Sequence, residues 1–363
     1  VAVRALSLYL GSKAAQRISR EGWNPDLFSL LLGASGGPKW FILSELDKVL
    51  FGDFLQRGSA RLATLGSSVG SWRNTCLALE DPAAAVTRLQ QAYLYQQYSA
   101  KPDIAEVSTA SGRILQELLG ERGEIQVAAN PRIHSHIVTA RGRGPAAADA
   151  GPLLASAMAA AALGNTLHRQ VLRLGFQRVV FHSDSRPAPG LRLADFQTRY
   201  SPLGEDNLKA ALHASGAIPF VLTGERDIPG APRGQYWDGG IIDYHFDLAQ
   251  YRGDGLLLYP HFRPDITPGW FDKFLPWRTR PLQRQAVDNL VLLCPNPDWV
   301  AQLPLGKIPD RSDFQRLPAE ERVRYWETCV EQSRALAEEF AALVAGSDPL
   351  AGVTVLEPGA GAA

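Results

Sequence analysis

Cysteine is scarce in this chain. Cys76, Cys294 and Cys329 are scattered, odd in number and without C-x-x-C spacing, which argues against a disulfide framework or a zinc site and for buried free thiols in a reducing compartment. An excess of charge of either sign is missing too. Thirty-seven basic side chains balance thirty-seven acidic ones, so net charge implies neither nucleic acid nor an anionic membrane surface as partner. Long apolar runs are also lacking: the N-terminal patch is interrupted at Arg4, and no uninterrupted run approaches the roughly 18 residues of a membrane span. A cytoplasmic protein is the expectation. No internal repeat is visible. What remains, at 363 residues with 45% hydrophobic and 20% charged side chains, is the composition of an ordinary globular protein, with enough chain for one large domain or two modest ones.

Read for period, "DLFSLLLG" is a short apolar run stopped by glycine, as in a buried strand, and "PKWFILSELDKVLF" follows with helical spacing after a proline suited to a first turn. The plan recurs as strand "ARLATLG" and helix "SVGSWRNTCLALE". Such alternation predicts a mainly parallel sheet covered by helices. Helices are expected at "DPAAAVTRLQQAYLYQQY", "DIAEVSTASGRILQELLG" and "LLASAMAAAALGNTLHRQVL"; strands are expected at "EIQVAAN", "HSHIVTA", "RVVFHS", "QYWDGG" and "GLLLYP". After about Pro260 the text becomes dense in proline and aromatics and then runs into a charged amphipathic helix, which predicts a C-terminal extension packed on the core. The tail "EPGAGAA" is expected to be disordered.

Two stretches satisfy the G-x-S-x-G pattern of a nucleophile elbow: Gly33-Ala34-Ser35-Gly36-Gly37 and Gly66-Ser67-Ser68-Val69-Gly70. Either match alone is weak. Both follow a strand and open a helix, the setting in which a serine is presented on a sharp turn with small residues two places to either side. Gly66 and Gly70 are those small residues around Ser68. The first turn has another emphasis, because Ser35-Gly36-Gly37-Pro38-Lys39 offers successive glycine amides beside a cation, the ingredients of an anion-binding nest or oxyanion hole. A glycine-rich turn without a ligand is the plain alternative. Far downstream, Asp238 ends a strand and precedes Gly239-Gly240; a carboxylate there falls at the carboxyl edge of the sheet, where open parallel sheets place their sites.

Three motifs together, "SGGPK", "GSSVG" and "DGG" preceded by "ASGAIPF", resemble those of the patatin-like phospholipases, in order and in spacing. The similarity covers roughly residues 26 to 247. It implies a three-layer α/β/α fold with a mainly parallel central sheet and a catalytic core over 26–247, after a lead-in over residues 1–25; residues 248–363 lie outside the resemblance and are expected to form a helical C-terminal extension packed on the core. It also implies a Ser–Asp dyad without histidine that hydrolyses acyl esters of lipids. Position by position, Ser68 is the nucleophile and Asp238 the base, while Gly36 and Gly37 line the oxyanion hole with Lys39 beside them. Ser35 stands where the family has its first loop glycine, and Trp40 where it has a small residue after the basic one. No metal or organic cofactor is required.

Two rivals stand beside this reading. One is an α/β-hydrolase esterase whose base is His245 or His261; the other is a non-catalytic module that holds a phosphate or acyl anion in the glycine nest. The expected partner is a lipid or acyl ester, with peripheral membrane contact and no nucleic acid; the oligomeric state is open. Trp270, Phe271, Phe274 and Trp277 form either an apolar rim for lipid or an aromatic core cluster. Apolar text around both turns and the neutral overall charge predict that the acyl chain, not an anionic head group, dominates recognition.

Overall fold

The computed structural model describes residues 3–184, 190–284 and 287–356; the tail 357–363, for which disorder is expected, lies outside the described residues. The protein is α/β, with a mostly parallel central sheet flanked by helices. Eleven strands are present among the described residues: β1 (Leu6–Leu10), β2 (Phe28–Gly33), β3 (Leu62–Ser67), β4 (Ile133–Gly142), β5 (Phe176–His182), β6 (Thr198–Pro202), β7 (Glu225–Arg226), β8 (Gln235–Asp238), β9 (Leu256–Pro260), β10 (Leu290–Pro295) and β11 (Val353–Val355). Their order is β11-β1-β10-β9-β2-β3-β4-β5-β6, with β8 paired to β4 and β7 to β8. Every residue of β9 and β10 is buried. Such strands have both faces covered, which is why they read as continuous apolar runs and not as alternating ones.

Two sequence expectations need correction. "EIQVAAN" is not a strand, because Gly123–Ala128 forms a short helix in which Val127 is buried and Ile125 is 48% exposed. Two β-branched residues at alternate positions imitated a strand, and packing of the single buried valine decided otherwise. Nor is the chain after residue 247 an appendage on a finished core. β9 and β10 lie in the middle of the sheet between β2 and β1, and β11 closes its far edge; the helices Ala319–Gln332 and Arg334–Ala345 accompany them. The N-terminal lead-in likewise contributes β1, which pairs with β10 antiparallel and β11 parallel. Short apolar stretches at both ends of the chain meet here, and their partners are too distant for local pattern to reveal.

One feature of the register positions the site. β3 runs parallel to β4 and ends by pairing Ser67 with Val138, whereas β8 runs antiparallel to β4 and pairs Asp238 with Thr139, the next residue. β5 occupies the opposite edge of β4 over the same stretch. β3 and β8 therefore abut head-on along one edge of β4, and their carboxyl ends meet. Asp238 thus comes from an antiparallel strand, not from the parallel row that the sequence suggested.

Candidate active site

Ser68 sits between β3 and the helix Val69–Leu77 with φ 56° and ψ −133°. A non-glycine residue in that region is strained by about 1–3 kcal/mol and persists only where its surroundings hold it. The glycines around it show what holds it. A Cβ at Gly70 would fall on the carbonyl oxygen of Gly33, and one at Gly66 would run into the backbone of Ser71, so the helix start, β2 and β3 pack backbone to backbone. Ser215 completes the clamp: its Oγ accepts the Ser68 amide at 2.9 Å, pairs with Ser71 Oγ at 2.6 Å and donates to Val138 O at 2.7 Å. Sequence reasoning missed this residue, although it lies within the quoted "ASGAIPF".

Ser68 Oγ donates to Asp238 Oδ2 at 2.9 Å, and the other carboxylate oxygen, Oδ1, accepts the Gly240 amide at 2.7 Å. Asp238 is only 5% exposed. Loss of hydration raises its carboxyl to about 6, against the Gly240 amide, the Ser68 hydroxyl and the cations Arg311 and Lys273, which pull the other way. A carboxylate so placed is a usable proton acceptor near neutral pH, which one at its ordinary value is not.

The first glycine turn plays a different part. Ser35 Oγ donates to Ser67 O and Ser67 Oγ, and its amide donates to Tyr244 O; among the described residues no carboxylate or imidazole hydrogen-bonds to its hydroxyl. Gly37 has φ 55°, and among the described residues neither the Gly36 nor the Gly37 amide finds an acceptor. Both glycines share a cavity of about 260 Å³ with Ser68, Asp238, Lys39, Tyr244, Lys273 and Arg311. A second cavity of about 630 Å³ shares Gly37, Ser68 and Arg311 with the first and is lined by Trp72, Ile104, Val107, Ile114, Phe220 and Leu222 among others. Ser68 therefore stands where the two chambers meet, the smaller carrying Lys39 and Lys273 and the larger carrying those apolar side chains together with Gln96, Asp103, Ser111 and Gln315.

No histidine lines either cavity. His245 and His261 are packed against each other, ring centroids 4.3 Å apart, in a fully buried aromatic cluster with Phe262. Burial lowers the pKa of both. The aromatic segment divides: Trp270 lines the cationic chamber, Phe271 is buried, and Phe274 and Trp277 are each 70% exposed.

Buried ion pairs fix the loops that carry these groups. Arg73 and Asp47 pair in the core, and Asp47 also accepts from Trp40 Nε1 at 2.7 Å, so the bulky Trp40 after the glycine loop is tied to the helix that follows Ser68. Asp243, just past the Asp238 turn, is held by Arg178 through two hydrogen bonds of 2.6 and 2.7 Å. Compared with known proteins, the chain matches no family model, no curated protein and no solved structure.

Proposed function

We propose that the protein is a serine acyl-ester hydrolase of the patatin-like kind, acting on lipid or lipid-like esters through a Ser68–Asp238 dyad. The 2.9 Å hydrogen bond from Ser68 Oγ to a buried carboxylate whose pKa is raised to about 6 is the observation that carries this reading. Ser68 Oγ attacks the ester carbonyl carbon while its proton passes to Asp238 Oδ2. The resulting oxyanion meets the free amides of Gly36 and Gly37, each such donor contributing about 3 kcal/mol in comparable sites. The tetrahedral centre collapses, the alcohol departs with the proton held by Asp238, and the acyl group stays on Ser68. Water then adds to the acyl carbonyl, giving its proton to Asp238, which returns it to Ser68 Oγ as the acyl–oxygen bond breaks and the acid is released. The Trp72, Ile114 and Leu222 walls of the larger chamber suit the acyl chain, and the exposed Phe274 and Trp277 beside Trp270 suit contact with a lipid surface.

Fluorophosphonate labelling followed by peptide mass analysis tests the reading. The label is expected on Ser68, and Ser68→Ala is expected to abolish both labelling and release of acid from p-nitrophenyl esters. Ser35→Ala should keep most activity. His245→Asn and His261→Asn should stay within about tenfold of the parent in folded protein, a change of about 1.4 kcal/mol. A folded protein without label on Ser68 would leave the anion-binding module standing, and a dead histidine variant beside a working Asp238→Asn would leave the triad.

A further inference from the structure

Helix Gly151–Leu167 is apolar on two faces. Leu154, Met158, Ala161 and Asn165 recur at helical spacing and are buried, as the inner stripe of a surface helix should be. The outward stripe of Leu153, Ser156, Ala160, Leu163 and Leu167 keeps the same spacing and is exposed. A surface helix normally turns charged residues to water on that side. This one contains no Asp, Glu, Lys or Arg at all, and Leu163 and Leu167 are 70% and 82% exposed. The apolar face continues past the helix. Arg278 Nη2 donates to Asn165 O at 3.2 Å, and Asn165 Nδ2 donates to Asp272 Oδ1 at 2.8 Å, which brings the segment of Phe274 and Trp277 beside the last helical turn. The Phe274 ring centroid lies 6.0 Å from that of Trp270, and Trp270 lines the smaller chamber with Ser68. The face therefore runs from Leu153 to the edge of the candidate site. Its charges are of one sign: from Gly151 to Gly175 the ionisable residues are His168, Arg169 and Arg173, and from Lys273 to Arg280 every charged residue is basic. Arg173 is exposed, and Arg278 donates to the backbone carbonyls of Asn165 and Leu167 and not to an acid. An exposed apolar face of this extent marks a surface that meets another phase or partner.

Resting in part on the hydrolase reading above, we infer that the outer face of helix Gly151–Leu167, with Phe274 and Trp277 beside it, docks the protein on the surface of an anionic lipid bilayer. No helix among the described residues is long and apolar enough to cross a membrane. The helix therefore lies in the interface, with Leu163 and Leu167 among the acyl chains and Arg173 and Arg278 at the level of the phosphates. An indole ring such as that of Trp277 favours the same boundary. Charge selects the occupant. Arginines without acidic partners complement the phosphate groups of a leaflet, whereas a second copy of the chain, seated face to face about a two-fold axis, would bring the same basic rim against itself. Position selects it as well. Whatever covers the face borders the chamber through Phe274 and Trp270, and a bilayer there presents its esters to Ser68 without their crossing water. The balance of charge over the whole chain conceals this local excess, which is why net charge pointed to no membrane partner.

Vesicle flotation with the Ser68→Ala protein tests the surface apart from turnover. The protein is expected to float with vesicles of phosphatidylcholine and phosphatidylglycerol and about tenfold less with phosphatidylcholine alone, and added salt should weaken the first. Leu163→Glu combined with Leu167→Glu should lower partition by about tenfold or more; both side chains face water in the free protein, so the fold is kept. Because Cys76, Cys294 and Cys329 are buried, a nitrobenzoxadiazole label on a Leu163→Cys protein reads insertion directly. Its emission should rise and shift to the blue on the mixed vesicles, while the same label on a Val355→Cys protein, on β11 at the far edge of the sheet from β5, should not change. In the active protein the double glutamate variant should hydrolyse p-nitrophenyl butyrate in water within about twofold of the parent, yet lose about tenfold on a long-chain p-nitrophenyl ester carried in the vesicles. No flotation, equal flotation with the two vesicle types, or flotation unchanged in the double variant overturns the surface, as does an equal loss on both esters. A dimer in sedimentation equilibrium that the double variant dissociates gives the face to a second copy and overturns it too. Vesicle binding that depends on Leu163 and Leu167, in a protein whose parent form hydrolyses neither ester and leaves Ser68 unlabelled, supports the surface and overturns the hydrolase reading instead.

Discussion

Burial of Asp238 lifts its carboxyl to about 6, and the shift has opposite consequences for turnover and for stability. In the proposed mechanism Asp238 must be ionised to accept the Ser68 proton, so kcat/KM should fall about tenfold per pH unit below about 6 and level off above it. For folding, the native pKa lies above the unfolded value of 3.8. The native state therefore holds a proton that the unfolded chain has released, and the stability this gives is complete below pH 3.8 and lost as pH rises through 6. The loss is on the order of 3 kcal/mol. Asp238→Asn removes the charge while its Oδ1 still accepts the Gly240 amide, so this inactive variant should be more stable than the parent at pH 7.5, and the gap should close toward pH 4. Urea denaturation at both pH values measures it; a gap that does not change with pH would contradict the burial cost assigned to Asp238.

Two elements meet at Ser68, and their closeness depends on absent side chains at Gly66 and Gly70 and on the hydroxyl of Ser215. Gly70→Ala drives a methyl into the Gly33 carbonyl, so thermal unfolding should show a loss of about 1–3 kcal/mol or more. Ser215→Ala leaves the Ser68 amide without its buried acceptor, at a comparable cost of about 1–3 kcal/mol, and kcat should drop more than KM rises because the strained backbone at Ser68 is no longer clamped. At this scale much was legible in advance. The strand, turn and helix at residues 28–52 and 62–77 follow from apolar runs punctuated by glycine, and the two glycine turns were set apart by the residues written beside each. Other parts were not legible. The strand Leu290–Pro295 has a buried-strand pattern, but proline- and aromatic-rich text around it drew the reading toward an extension. The antiparallel course of β8 was hidden as well, because one strand's direction depends on a neighbour almost a hundred residues earlier.

Across the whole molecule, the sheet has no natural division at residue 247. A chain truncated there loses β9 and β10, leaving the outer edge of β2 bare and β1 without either neighbour. Exposed apolar strand edges seek other chains. The truncated protein should therefore be recovered mainly as aggregate and show no cooperative thermal transition, although it retains Ser68, Asp238 and both glycine turns; a soluble, cooperatively melting fragment would restore the division into core and extension. The ion pair of Arg178 with Asp243 reaches across the molecule in a similar way, holding the turn after Asp238 to β5.

The sheet order also sets a timetable. Synthesis delivers β3, β4 and β8 before β9, β10 and β11, so the head-on meeting that joins Ser68 to Asp238 can form while the polypeptide is still attached to the ribosome. The Phe28–Gly33 strand must wait longer for its partner at Leu256–Pro260, and Leu6–Leu10, the first strand made, waits for Leu290–Pro295 and then for Val353–Val355 near the other end of the chain. The oldest segment is among the last to be seated. A newborn molecule thus brings Ser68 and Asp238 together before it has closed its sheet.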